Sequence, residues 1–298
     1  FQAINEALAL KPETNVRVAF QEKAAFYAWN AGAFAEAEKI FQTLPAPNLS
    51  PGVRLGYAHT LLSLNKPAEA EAQLKTILGA IPAAAPVIDV PAPSLSLQPL
   101  KLRFVALGLT AQATGIAPAR RIVALEERLK LYPRIVDNAK VLHFQKETLS
   151  DQTVKQWQDL AQLYEQAGQR DKAITSLTRS LDEAQKHGEE FGYLNSTLMI
   201  ALKNAWLLSG RIPVAKDKSR GLAAKLDKEF MDQKELTSLV TQKWAELKLI
   251  QAAFWDKDFA KASEAIFKTK ALENLQKDKP ELYASLTRYR NEVAKDAR

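Results

Sequence analysis

Apolar residues recur along this chain with the period of a helix, and the recurrence is interrupted at regular places. In "WQDLAQLYEQAGQRDKAITSL", Trp157, Leu160, Ala161 and Tyr164 stand at i, i+3, i+4 and i+7. That spacing puts them on one face of an α-helix. Gly168 breaks the pattern, and Ala173, Ile174, Leu177 and Leu181 restore it. The stretch predicts two antiparallel helices joined by a tight turn, with Ser150 as the N-cap of the first. Ala161 and Ala173 are small because closely packed helices leave little room at the contact. The same layout returns along the chain. Ala25, Ala28, Gly32, Ala37 and Phe41 form one copy, and Tyr57, Ala58, Leu61, Asn65, Ala70 and Leu74 another. Looser copies turn at Gly115, Gly210 and Lys257, with Phe259, Ala260 and Ala262 answering Phe34, Ala35 and Ala37. No window alternates with a period of two, so no strand is predicted.

Prolines punctuate this scheme. Pro67, Pro118 and Pro213 each open a second helix, where a missing N–H costs no intrahelical bond. Pro82 and Pro133 are expected to end second helices. Pro82, Pro86, Pro91, Pro93 and Pro99 crowd one segment and predict an extended connector there. The expected organisation is an N-terminal helix with two hairpins over residues 1–82 and a Pro-rich connector over 83–99. Four longer hairpins follow over 100–278, and a capping helix over 279–298 carries Leu282, Tyr283, Leu286 and Tyr289 on one face. The connector either lies along one continuous array or separates the first two hairpins from the rest.

The order W-x2-L-A-x2-Y-x3-G-x4-A-x3-L resembles the tetratricopeptide repeat, with Trp157, Leu160, Ala161, Tyr164, Gly168, Ala173 and Leu177 on its signature positions. The resemblance covers roughly residues 20–270. It implies an all-α fold, a right-handed superhelical solenoid of about six antiparallel hairpins, with first helices lining a concave side. The turn residues lie 33, 50, 53, 42 and 47 residues apart. Only the first interval approaches the family's repeat of about 34, so the chain looks like the extended-helix type found in bacterial regulators and adaptors. In that family one inner position faces the groove, and an amide there can hold the backbone of a bound peptide. Its counterparts here are Phe26, His59, Leu109, Gln162, Asn204 and Gln251. Phe26 and Trp29, one turn apart, would anchor an apolar side chain, and Trp255 directly precedes the last turn. Asn30, Lys155 and Gln158 complete the candidate groove residues. Of the basic residues the family uses to clamp an acidic C-terminus, only Lys155 has a counterpart, so such recognition is not expected.

Composition narrows the chemistry. The 298 residues include no cysteine, which removes disulfides, thiolate metal sites and cysteine nucleophiles. The three histidines, His59, His143 and His187, are far apart, and no metal site, cofactor site or catalytic group is assigned. "HGEEFG" at 187–192 is read as a turn between hairpins. No phosphate-binding loop or nucleophile elbow appears. The net charge is +7, with seven Lys/Arg against eight Asp/Glu in residues 1–100 and 34 against 26 in the remainder. The excess could attract an acidic partner or simply solvate a Lys-rich surface. The basic stretch 211–228 lacks aromatics that could stack on bases, so it is read as a solvated helix, not a nucleic-acid surface. No segment is long and apolar enough to span a bilayer. Absent cysteine, basic charge and the Pro/Ala connector favour a bacterial cell envelope origin over cytoplasm. The start at Phe1 fits a chain cut from a longer protein. The leading expectation is a non-enzymatic scaffold that binds a peptide or partner protein. A ligand- or glycan-binding sensor module and an α-helical hydrolase remain as alternatives.

Overall fold

This computed structural model describes residues 13–45, 49–88, 98–194, 216–233, 236–255 and 258–295. Among them are thirteen α-helices and no strand. The chain divides into two compact units, Phe1–Gln145 and Lys146–Arg298. The division falls after the third hairpin.

The first unit holds α1 (Thr14–Asn30), α2 (Phe34–Thr43), α3 (Pro51–Ser63), α4 (Pro67–Ala80), α5 (Pro99–Gln112) and α6 (Pro118–Asp137). They pair as hairpins α1/α2, α3/α4 and α5/α6. Each first helix also touches the next first helix, α1 on α3 and α3 on α5, while α2 packs on α3 and α4 on α5. Local signals set the boundaries. Pro51, Pro67, Pro99 and Pro118 open four helices, and the Ser50 hydroxyl accepts from Val53 N at 3.3 Å. The turn residues Gly32 and Asn65 adopt left-handed φ of 75° and 58°, as expected for tight helix-to-helix turns. Gly115 does not. It is glycine because a Cβ there would come within 2.3 Å of Pro67 Cγ, so close packing against the preceding hairpin excludes a side chain.

One local expectation fails for a tertiary reason. Pro133 lies inside α6 and does not end it. Buried Leu131 and Ile135 anchor the helix on both sides of it, and the Arg134 guanidinium bonds the carbonyls of Ala83 at 2.7 Å and Ala85 at 2.8 Å. For the connector the sequence left two placements open; α4 packs directly on α5, so the second and third hairpins are in contact. The connector's described flanks are tied down. Buried Gln98 donates to the Ile88 carbonyl and accepts from Ile88 N at 3.1 Å. Arg103 reaches the carbonyls of Leu78 and Ile81 and pairs with Glu127. Residues 89–97 lie outside the described residues.

The second unit holds α7 (Lys146–Gln166), α8 (Arg170–Phe191), α9 (Lys216–Asp232), α10 (Ser238–Trp255), α11 (Phe259–Phe267), α12 (Lys270–Asp278) and α13 (Pro280–Val293). The α7/α8 hairpin is the longest, turning at Gly168 with φ 71°. Ala161 and Ala173 are buried in this hairpin, as Ala37 and Ala70 are in the first unit. Ser150 is not an N-cap, since α7 begins four residues before it. The segment at 187–191 is the last turn of α8, not a loop. The turns at Gly210 and Lys257 and the helix start at Pro213 fall outside the described residues, as does Asn204. Beyond α9 the hairpin scheme gives way to a cluster. α10 carries α11, α12 and α13 against it, and its Trp244 stacks on Phe230 of α9 at 4.1 Å. The expected capping helix is α13, whose Leu286 is fully buried.

Candidate functional site

The first helices of the three hairpins in the first unit enclose an apolar cavity of about 260 Å³. Phe26 and Trp29 come from α1, Leu55, Gly56 and His59 from α3, and Lys101, Val105 and Leu109 from α5. One face of each helix therefore contributes residues three or four apart, which the 3.6-residue period brings into line. Gly56 is part of the construction: a Cβ there would stand 3.1 Å from the Phe26 ring edge. Phe26 meets Trp29 edge to face at 5.9 Å and Phe41 at 6.3 Å, so the aromatic wall is backed by the α1/α2 core. A second cavity of about 310 Å³ shares His59 and Leu109 with the first. Its wall is more polar, with Ser63, Asn65, Gln112 and Thr114. The two cavities share these two residues on α3 and α5, the first lined mainly by apolar groups and the second by hydrogen-bonding ones.

His59 is the joint between them. Trp29 Nε1–H donates to His59 Nδ1 at 2.9 Å, and the two rings meet at 72° with centroids 5.5 Å apart. The Phe34 ring lies 6.3 Å away on the α2 side. Burial pushes the imidazole pKa below its ordinary value, because the charged form loses water there. Lys101 is the charged side chain of the apolar wall. Its ammonium donates to the Leu142 carbonyl at 2.8 Å and lies 4.7 Å from the Phe144 ring centre. Burial lowers its pKa as well.

The sequence-derived groove residues are distributed as follows. Phe26, Trp29 and His59 converge on the apolar cavity, together with Leu109. Asn30 is exposed at the end of α1. Lys155 and Gln162 are exposed on α7. Gln158 is only 2% exposed, so its amide is not offered to a ligand; α7 is covered on that side as well as on its signature face. On α10, half-buried Gln251 accepts from Lys248 Nζ at 2.9 Å, and the Trp255 ring lies 5.5 Å from the Arg220 guanidinium. Sequence reasoning missed Leu55, Gly56, Val105 and the polar wall. Leu55 and Val105 could have been found by stepping four residues back from His59 and Leu109 on the same faces.

Elsewhere the chemistry is sparse. His187 is fully buried, with Nε2 3.3 Å from Asp151 Oδ1. Burial raises the Asp151 pKa, the nearby imidazole opposes that, and Glu147 adds to it. Among the described residues no group of three His, Asp or Glu is placed to hold a metal ion, and no helix is long and apolar enough to cross a membrane. A hollow of about 470 Å³ between the end of α9, the start of α10 and α12 mixes Lys270, Asp278 and Asn274 with Met231 and Leu236. None of the sequence-derived residues lines it. Compared with protein-family models, with curated proteins and with solved structures, the chain matches none.

Proposed function

We propose that this protein is a non-enzymatic interaction scaffold of the tetratricopeptide-like type, which holds a segment of a partner protein in the groove lined by α1, α3 and α5. The observation that carries this reading is the convergence of Phe26, Trp29, His59 and Leu109 on one accessible cavity. Phe26, His59 and Leu109 follow from repeat register, Trp29 lies one turn from Phe26, and together they come from three successive first helices. Burying a leucine-sized side chain in such a cavity contributes roughly 1.5–3 kcal/mol. One anchor alone gives weak binding, so affinity is gained by extending the ligand along the polar half of the groove.

The test is selection from a random peptide display library against the wild-type protein and against Val105→Glu. Val105 is a half-buried wall residue, and a carboxylate there places a charge in the apolar cavity. Wild type should enrich peptides that Val105→Glu does not retain, while the variant keeps its helical circular dichroism. Failure to enrich any peptide, or equal retention by both proteins, refutes the assignment of this groove.

A further inference from the structure

We infer that the hollow between α9, α10 and α12 is a second binding site, and that it takes a short neutral oligosaccharide. The site lies wholly within the second unit and shares no residue with the groove proposed above.

Its volume of about 470 Å³ falls within the range of about 300–1,000 Å³ usual for small-molecule sites. One face of α12 presents Lys270, Asn274 and Asp278, each a turn from the next. At 1.5 Å per residue the row runs about 12 Å. Opposite it stand the hydroxyls of Ser238 and Thr241 from the first turn of α10, and Gln233 just past the end of α9. Among the described residues, no hydrogen bond or ion pair engages the side chains of Lys270, Asn274, Asp278 or Gln233. The rest of the wall is apolar. Phe230 and Leu275, each 3% exposed, form its back. Met231 stands at the mouth at 65%, the most exposed large hydrophobic side chain among the described residues. Its flexible thioether suits an irregular ligand surface.

The chemistry of this wall selects the occupant. Lys270 can only donate, Asp278 can only accept, and the amides and hydroxyls do both. A sugar hydroxyl also donates and accepts, so a saccharide satisfies the row in any order. The C–H face of its ring covers the apolar wall and leaves water with it. One ammonium and one carboxylate leave the lining without net charge, so neither an anion nor a cation gains from the site as a whole. A zwitterion laid across the two gains little, because both side chains are exposed and water screens such pairs. A wholly apolar ligand would strip water from the polar groups and return no hydrogen bond. A nucleobase needs a ring face to stack on. The Phe230 ring is already stacked on Trp244, 4.1 Å away and 5° from parallel.

The experiment uses the full chain, isotope-labelled at its methionine methyl groups, and a panel of neutral saccharides at up to ~10 mM. The panel comprises cellobiose, maltose, lactose, mannobiose and diacetylchitobiose. Uronic acid and amino sugar disaccharides are the charged counterparts, and trialanine is the zwitterionic peptide. The chain has two methionines, and Met231→Leu assigns the signal of Met231. At least one neutral saccharide should shift the Met231 methyl, and the stacked Phe230 should carry the change to the Trp244 indole resonance. Its affinity should be the same at ~0.05 and ~0.5 M salt. Asn274→Leu replaces an exposed amide on α12 and should weaken it about three- to tenfold, the worth of one hydrogen bond, with helical circular dichroism unchanged. A Met231 methyl that no neutral saccharide moves overturns the inference. So does binding that Asn274→Leu leaves unchanged, an affinity that falls with salt, or tighter binding of trialanine or of a charged disaccharide. Peptide enrichment in the groove of the first unit is read separately through Val105→Glu, so either result stands without the other.

Discussion

Replacing Gly188 by alanine should destabilise the protein, although alanine is the better helix former. Gly188 sits in the last turn of α8, whose end is closed by Gly192 at φ 94°. The chain then reverses, and the Tyr193 ring lies across Gly188. A Cβ at 188 would stand 2.1 Å from Tyr193 Cε1 and 2.3 Å from Cδ1. Non-bonded carbons need about 3.5–4.0 Å, so the overlap is roughly 1.5 Å. The ring cannot give way cheaply. It is 7% exposed, its hydroxyl donates to the Gln185 carbonyl at 3.3 Å, and its backbone N–H donates to Glu229 Oε2 at 2.8 Å. Displacing a buried aromatic ring costs about 3–5 kcal/mol if its packing is lost outright, while the propensity gain from glycine to alanine returns about 1 kcal/mol. The net expectation for Gly188→Ala is a loss of about 1–3 kcal/mol, allowing for partial relaxation. Urea denaturation followed by far-ultraviolet circular dichroism measures it as a lower midpoint at unchanged slope. The decisive arm is the same substitution in a Tyr193→Ala background. With the ring gone, Gly188→Ala should turn stabilising, by about 0.5–1 kcal/mol. A Gly188→Ala protein with a raised midpoint, or a double variant in which the sign does not reverse, would refute the packing argument.

Ala161→Leu should overpack the α7/α8 contact and cost about 1–3 kcal/mol, read as a lower melting temperature; Ala161 is 1% exposed. Arg103→Met removes the donor that serves the Leu78 and Ile81 carbonyls and the partner of Glu127. With Glu127 partly exposed, the expected loss is about 1–3 kcal/mol in urea melts, and Arg103→Met with Glu127→Leu should recover part of it. For His59 the sign follows from burial, which favours the neutral ring in the folded state. The unfolded chain therefore binds more protons as pH falls below the ordinary imidazole value of 6.5. The stability contributed by the neutral ring is complete above that value and is lost as pH falls from it to the lower folded pKa. Wild type should accordingly lose more stability than His59→Phe between pH ~7.5 and ~5.5, and parallel losses would show that His59 is not the group responsible.

The helices and their turns were legible because their signals are local. A stripe at i, i+3, i+4 and i+7 needs only the 3.6-residue period, and a left-handed turn needs only a residue such as Gly32, Asn65 or Gly168 that tolerates it. The alanines at 37, 70, 161 and 173 were equally readable, since a small residue in a repeated register marks a close helix contact. Part of the candidate site followed from that register, namely Phe26, His59 and Leu109, and Trp29 followed as the aromatic one turn from Phe26. The rest depended on which helix covers which face. Pro133 stays within α6 because buried Leu131 and Ile135, and Arg134 on the Pro-rich flank, hold it from outside the helix. Gly115 is glycine because of Pro67 in another hairpin, not because of its own φ. Gln158 looks like a groove amide on a helical wheel, yet it is buried, because α7 is covered on more than one side. The bond from Trp29 to His59 joins residues thirty positions apart. Periodicity along a chain records how one helix divides its faces, but cavities and covered faces are set by side chains that meet only when separate helices pack, and no local pattern encodes that meeting.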